Sequence, residues 1–457
     1  MDEFQLVKIY NRSFMKKIFY LILISLFIGG CEKDDDFFFE NPVTEGNIKL
    51  VRLRADHNTL LPDGKATMKF YAEAYNILEL PDYTPTYEGD SAIYIPGIVR
   101  DTSLIPADLL PTGLFRLLDD SGNEYSDFSF STTDTRERTI RFHVEAGELT
   151  SEEVEILVRP LPQEKYEKIE IPVIFHVLHP AKNPSIAPID ITPETVEKNV
   201  KRLNDVFNGE ATTDPNGGNA RITFRLAEYD NNGVKLENPG IHYYEIESSV
   251  VFKESDDYQI YVMSKGSTLM YDYRNYLNIW LINDPRGSSF IVRGPNVIDQ
   301  PENPIPGLNA GALSATFPER PTDIGFFVNM SHFLNPLQSA DYFEISTAMA
   351  QYLGLLTTRG VEAYGETNFV NGDTDYCSDT PYYWNDFSSV FKNNSKGNST
   401  DKNTLYFTSY NVMDSYSYKN SITVDQVARV RLHLERCPSR WMYKSRFAFT
   451  GKLEDRK

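Results

Sequence analysis

The run Ile171-Pro-Val-Ile-Phe-His-Val-Leu178 constrains this chain most. It is nearly continuous apolar sequence, with none of the alternation of a strand that has one face in water. Such a run fits a strand buried on both faces, the signature of a parallel sheet covered by helices. The next segments agree. Thr192-Pro193 opens a helix, with Thr as N-cap and Pro at the first helical position. Val196, Val200, Leu203 and Phe207 fall on one face of it, and Gly209 ends it. Ile222, Phe224 and Leu226 alternate as a strand, and Leu277-Asn-Ile-Trp-Leu-Ile282 reads as another buried strand. Strand, helix, strand in this order predicts an α/β layer with a crossover connection.

With 457 residues, two or three domains are expected. The 65 acidic and 45 basic residues give a net charge of −20, which argues against a nucleic-acid partner, since such binding neutralises phosphates with Lys and Arg. Three cysteines exclude a disulfide scaffold. Met15-Lys-Lys, an apolar run from Ile18 to Ile28 and small residues before Cys31 make a secretory signal, too short to span a membrane. Ile28-Gly29-Gly30-Cys31 resembles a bacterial lipobox, which implies cleavage before Cys31 and lipidation of it. Residues 1–30 are then the signal, with Met15 as its natural start. Glu32-Lys33-Asp34-Asp35-Asp36 resembles the acidic export tag of surface lipoproteins in the Bacteroidetes. The resemblance implies a protein tied to the outer membrane at the cell surface through Cys31, with residues 31–46 as tether.

From Asn47 the texture is that of strands. Ile48, Leu50 and Val51 precede a turn at Leu61-Pro62-Asp63-Gly64, and Ala66, Met68, Phe70 and Ala72 alternate with polar residues. Thr139–Val144 alternates too, and Val154–Val158 closes the region. Short strands without a convincing helix suggest a small β-sandwich over 47–160. It resembles the immunoglobulin-like modules of Bacteroidetes surface proteins. Prolines at 81, 85, 96, 106 and 111 make 80–113 read as an irregular insertion. His143 reads as a histidine on a strand surface.

The order of later segments resembles the catalytic domain of pappalysin-like metallopeptidases, a metzincin branch of the zinc proteases. Ile171–Val177, Val200–Phe207 and Tyr276–Trp280 resemble its first strand, first helix and third strand. Asp379-Thr-Pro381, Asn411-Val-Met413-Asp414 and Thr423-Val-Asp-Gln426 resemble its closing region, with Met413 in the methionine turn. The resemblance covers roughly 165–440 and implies, with the sandwich, an α+β chain whose zincin/metzincin-like domain spans 165–457.

In that family one helix carries HExxHxxGxxH: two histidines one turn apart and a third beyond a helix-ending glycine hold zinc, and the glutamate polarises water. Here Thr347, Gln351 and Thr357 stand at the histidine positions and Ala348 at the glutamate. Gly354 is retained. Hydroxyl and amide oxygens are weak, neutral donors for zinc. Losing three imidazoles removes binding energy of about 10 kcal/mol or more. Without zinc, water keeps a pKa near 16 rather than about 7, and without a carboxylate at 348 there is no general base. The expectation is a retained peptidase frame with no catalytic residues and no zinc. None of the seven histidines stand at helical i,i+4 spacing. His176 and His179 fall on opposite strand faces, and a rebuilt site from His332 and Glu344 is a remote alternative. No Gly-x-Ser-x-Gly elbow is present.

Cys377 and Cys437 remain as a disulfide candidate in an oxidising compartment, ahead of Cys377 as a nucleophile. Asn371, Asp373, Asp375 and Asp379 place oxygen donors at alternating positions near a glycine, which suits calcium. Residues 386–404, rich in Asn, Ser and Lys, read as a mobile surface insertion, and Thr423–Gln426 as the capping box of the last helix. Three functional readings follow: an inactive peptidase homologue that binds a peptide, protein or glycan; an active zinc endopeptidase with unorthodox ligands; and a structural or assembly lipoprotein.

Overall fold

The computed structural model describes residues 43–452 except 83–85, 89–90, 94–96, 163–165, 181–189, 211, 213, 284–288, 335–344, 359–374, 381–390, 396–403 and 415–416. The signal, Cys31, Glu344 and the calcium candidates Asn371 and Asp373 lie outside the described residues.

The chain divides into two compact units. One holds the chain up to Arg52, Ala72–Arg116 and Val144–Ser151; the other holds Leu53–Tyr71, Leu117–His143 and everything from Glu152. The division therefore does not follow the boundary expected at 160–165. Strands β1 (Leu50–Ala55), β2 (Thr59–Leu60), β3 (Met68–Asp82), β4 (Thr86–Glu88), β5 (Ser91–Ile93) and β6 (Gly97–Leu104) come first. They are followed by β7 (Arg116–Asp119), β8 (Ser129–Phe130), β9 (Arg138–Ala146), β10 (Leu149–Thr150) and β11 (Val154–Val158). One sheet has the order β1-β3-β6 with β8 on β3, and another has β10-β9-β11-β2 with β7 on β9. In the first unit β3 and β6 pair antiparallel from Tyr75–Leu104 to Asp82–Gly97. In the second, the rings of Phe70 and Phe130 lie 4.6 and 5.3 Å from that of Phe142, both tilted against it.

The expectation of an irregular 80–113 is corrected. Its described residues form β3 to β6, with Pro106 and Pro111 beyond β6. Proline removes one ladder donor but leaves neighbouring residues free to pair. Pro81 itself sits in β3, opposite Ile98.

The larger unit is built on β12 (Ile169–Pro180). Its first half pairs parallel with β13 (Ile222–Leu226) and its second half parallel with β14 (Ile241–Ile246). Its other edge pairs parallel with β15 (Leu277–Ile282), all six of whose residues are buried. Beyond lie β16 (Phe290–Ile291) and β17 (Gly325–Asn329); β17 is parallel to β15, and β16 closes the sheet antiparallel. The connection from β12 to β13 carries a helix over Pro193–Phe207, here α1, with Thr192 Oγ1 accepting the Thr195 N–H. Its buried residues Val196, Val200, Leu203, Val206 and Phe207 join the core of the sheet. Each contributes up to about 1.5–3 kcal/mol of apolar burial. The strand–helix–strand reading holds because periodicity and capping agree there.

Further helices are α2 (Ser255–Lys265), α3 (Met330–Leu334), α4 (Ile345–Tyr352), α5 (Val424–Arg436) and α6 (Arg446–Thr450). Helix α4 packs against β17 and α1. Within 386–404, Phe391–Ser395 forms an antiparallel ribbon with Thr404–Thr408, so that stretch is not a bare insertion. Among the described residues no helix is long and apolar enough to cross a membrane.

Candidate functional site

Helix α4 carries Thr347, Ala348 and Gln351, and Gly354 stops it. Gly354 has φ +96°, a backbone region that L side chains avoid. Its N–H donates to the Gln351 carbonyl at 3.0 Å, and the Leu355 N–H to the Ala350 carbonyl at 2.9 Å. These two bonds make a Schellman stop. The α5 helix locks the turn from outside. Arg429 Nε donates to the Gly354 carbonyl at 2.8 Å, and Arg429 also reaches the Pro306 carbonyl at 2.9 Å. The ring of His433 lies flat against Gly354.

The segment Asn411–Asp414 packs against α4. Thr347 Oγ1 donates to the Val412 carbonyl at 2.9 Å. Val412 and Met413 share one apolar core with Ala348, Met349, Tyr352 and Leu353. The Met413 N–H donates to Asn411 Oδ1 at 2.9 Å, and the Asn411 amide pairs with Gln426 of the α5 capping box. The buried Lys419 ammonium donates to the Asp414 carbonyl at 2.6 Å and to the Val412 carbonyl at 3.2 Å.

The surroundings of Thr347, Ala348, Gln351 and Thr357 bear on what these positions can hold. The Thr347 hydroxyl is spent on the turn beneath it. Ala348 is 0 % exposed and contributes a methyl to the core. Gln351 and Thr357 are partly exposed and bring only neutral oxygens. This donor set does not fit zinc. Among the described residues, no group of three or more His, Cys, Asp or Glu is arranged to hold a metal ion.

The histidines serve elsewhere. His176 on β12 is buried, with Nε2 3.0 Å from Asn278 Oδ1 and Nδ1 3.0 Å from Nδ1 of His242. Burial, with His242 beside it, lowers its pKa to about 3. His179 stacks on Tyr243. His332 on α3 has Nε2 3.4 Å from Ser289 Oγ. His433 donates from Nδ1 to the Arg429 carbonyl at 2.8 Å, and its buried Nε2 has no hydrogen-bond partner. Burial lowers its pKa to about 4.

The disulfide expectation is corrected: Cys377 and Cys437 are both buried and both free. Cys437 caps α5 and packs with Ile298 and Ile305. Cys377 instead turns back on its own loop, its N–H donating to Asp375 Oδ1 at 3.1 Å. Burial raises both thiols, which makes Cys377 a poor nucleophile. Of the calcium candidates, Asp375 is occupied by Cys377 and by the Thr380 hydroxyl at 2.7 Å. Asp379 accepts from Thr423 Oγ1 at 2.6 Å and from the Asp425 N–H at 2.9 Å. It also pairs with Arg159 at 3.0 Å. Burial, with Asp425 beside it, raises its pKa to about 7 against the pull of Thr423 and Arg159, and a carboxyl group already facing a guanidinium is a poor member of a calcium cage.

No family model matches the chain, and no curated protein does. The chain is similar to mirolysin of Tannerella forsythia. Mature mirolysin in complex with a cleaved peptide is 21% identical at a TM-score of 0.45, with 64% of this chain and 100% of that one covered. A promirolysin variant is 20% identical at a TM-score of 0.44, covering 64% and 88%. Mirolysin in complex with compound 9 is 21% identical at a TM-score of 0.45, covering 64% and 100%.

Lys419, His433 and Arg429 shape the site and were missed from sequence. The capping-box residue Gln426 hinted at the location of α5. Nothing in the sequence marks a lysine as buried or a histidine as the neighbour of a distant glycine.

Proposed function

We propose that this chain is a surface-anchored lipoprotein whose metallopeptidase-type domain binds a peptide, protein or glycan and does not cut it. The observation that carries the reading is Ala348. The position where hydrolysis by the family mechanism needs a carboxylate is a methyl enclosed by Met349, Val412 and Met413 in one core. The retained features have other supports: Gly354 ends α4 against His433, and Met413 packs beneath it. A frame kept in order by such contacts, without ligands or base, supports holding rather than hydrolysis. The anchor rests on Met15–Cys31 and the acidic residues after Cys31.

The test is metal content and peptide-library hydrolysis of the full chain, with and without a chelator. Metal-free protein that leaves the library intact is expected. Stoichiometric zinc with chelator-sensitive cleavage would overturn the proposal in favour of an active endopeptidase. Capture of peptides or glycans by intact cells, lost when residues 165–457 are removed, tests the binding half. Capture that survives the deletion would place binding elsewhere in the chain.

A further inference from the structure

A second polar cluster lies away from α4. The turn between β1 and β2 carries Asp56 and His57, both buried. It rests on a loop at Asp214–Gly218: Leu61 N–H donates to the Pro215 carbonyl at 3.2 Å, and Asn216 Nδ2 to the Thr59 carbonyl at 3.0 Å. The same loop joins the start of α5, where the Val424 N–H donates to the Asn216 carbonyl at 3.0 Å. The His57 ring enters a cavity with about 10 Å³ of water-sized room, lined also by Asp214, Thr358, Ser409, Tyr410 and Asp414. His57 Nε2 is 3.8 Å from Asp214 Oδ1, and Nδ1 is 3.5 Å from Asp56 Oδ1. The ring lies parallel to that of Tyr410, 6.3 Å away at 7°.

Among the described residues, three acids act on this ring. Asp56 comes from its own turn, Asp214 from the loop, and Asp414 from the 409–414 turn. The Asp414 carboxylate takes the hydroxyls of Thr358 and Ser409, and the Lys419 ammonium bonds the Asp414 carbonyl. Closed space holding three carboxyl groups is stable only when positive charge or protons sit among them.

We propose that protonated His57 locks the β1–β2 turn onto the 409–414 turn, and that loss of this one proton opens the lock. Its consequence reaches the candidate site, because Val412 in that turn accepts the Thr347 hydroxyl of α4. Burial works against the charge on His57, but Asp214, Asp56 and Asp414 outweigh it and raise the ring above its ordinary value. Burial in turn raises Asp214, with His57 opposing. A raised histidine stabilises fully below its unfolded value of about 6.5 and loses that stabilisation as pH rises through the folded value. The lock is therefore closed below the unfolded value and opens as pH rises through the raised folded value.

Amide hydrogen exchange on the full chain, corrected for the intrinsic effect of pH, reads the lock directly. Between about pH 6 and about pH 9, protection of residues 56–61 and 409–414 should fall by roughly tenfold or more, one decade for each unit by which folding raises the pKa. In His57→Gln, which keeps a polar side chain but cannot titrate, the step should vanish. An equal step in that variant, or no step in the unaltered protein, overturns the proposal. Should His57→Gln fail to fold, Asp214→Asn decides: with its foremost anion gone, the step must move to lower pH, and an unmoved step sinks the idea.

Discussion

A Cβ placed on Gly354 would lie 2.4 Å from Cδ2 of His433 and 2.6 Å from its Nε2. No carbon sits that close to an aromatic ring, so α5 itself forbids a side chain at this position. The positive φ adds strain of about 1–2 kcal/mol for any L residue. Gly354→Ala should therefore lose about 2–4 kcal/mol in urea unfolding. His433→Ala on top should return at least about 1 kcal/mol of that, measured as a double-mutant coupling. Additive losses would mean that the ring and the glycine are not in contact.

What could be read from sequence divides along physical lines. The run 171–178, the helix at 193–207 and the strand 277–282 were legible because burial on two faces or on one stripe leaves a periodic record. The stop at Gly354 was legible as a glycine, but its cause was not, since His433 is distant in the chain. The 80–113 stretch misled because proline density signals breaks, and breaks are compatible with short strands between them. Asp375 and Asp379 were ambiguous for a related reason. Alternating oxygens describe a calcium loop and also a loop that bonds to itself, and only the positions of Thr380, Thr423 and Arg159 distinguish the two. The cysteines show the same limit: their count suggested a pair, and both are free.

Position 348 offers a sharper test of the site. Ala348 is 0 % exposed and shares a core with Met349 and Val412. Introducing a glutamate by Ala348→Glu would bury a carboxylate among methyl groups, at a cost of about 3–5 kcal/mol. A clear fall in thermal midpoint is expected, with no zinc bound. A variant as stable as the parent would show that this side chain faces open space.

Acid should weaken the fold through histidines that are kept neutral. His176 is lowered to about 3 and His433 to about 4, in both cases chiefly by burial. Their folded values lie below the unfolded value of about 6.5, so their contribution is whole above that pH and is lost as pH falls toward 4 and then 3. Each accounts for up to roughly 3–5 kcal/mol, at about 1.4 kcal/mol per pH unit. Denaturant midpoints measured between about pH 7 and about pH 4 should fall steadily, and His433→Gln should make the slope shallower by about one proton. An unchanged slope in that variant would mean that His433 already carries its proton in the fold. His57 acts in the opposite sense, its stabilisation being lost as pH rises, so the two arms of the profile are separable.

The last prediction concerns calcium. Asp375 and Asp379 have their oxygens engaged by Cys377, Thr380, Thr423 and the Asp425 N–H, and Asp379 also faces Arg159. A cation entering between them would have to displace the guanidinium and the cap of α5. Were a micromolar site formed here, about 1 mM calcium would add about 4 kcal/mol by mass action. That would raise the thermal midpoint by several degrees, at roughly 2–4 °C per kcal/mol for a domain of a few hundred residues. The expected shift, measured on chelator-treated protein, is instead below about 1 °C, and Arg159→Ala should lower the midpoint whether or not calcium is present. A calcium-dependent rise of several degrees would show that the carboxylates turn outward and that the Arg159 pair gives way to the metal.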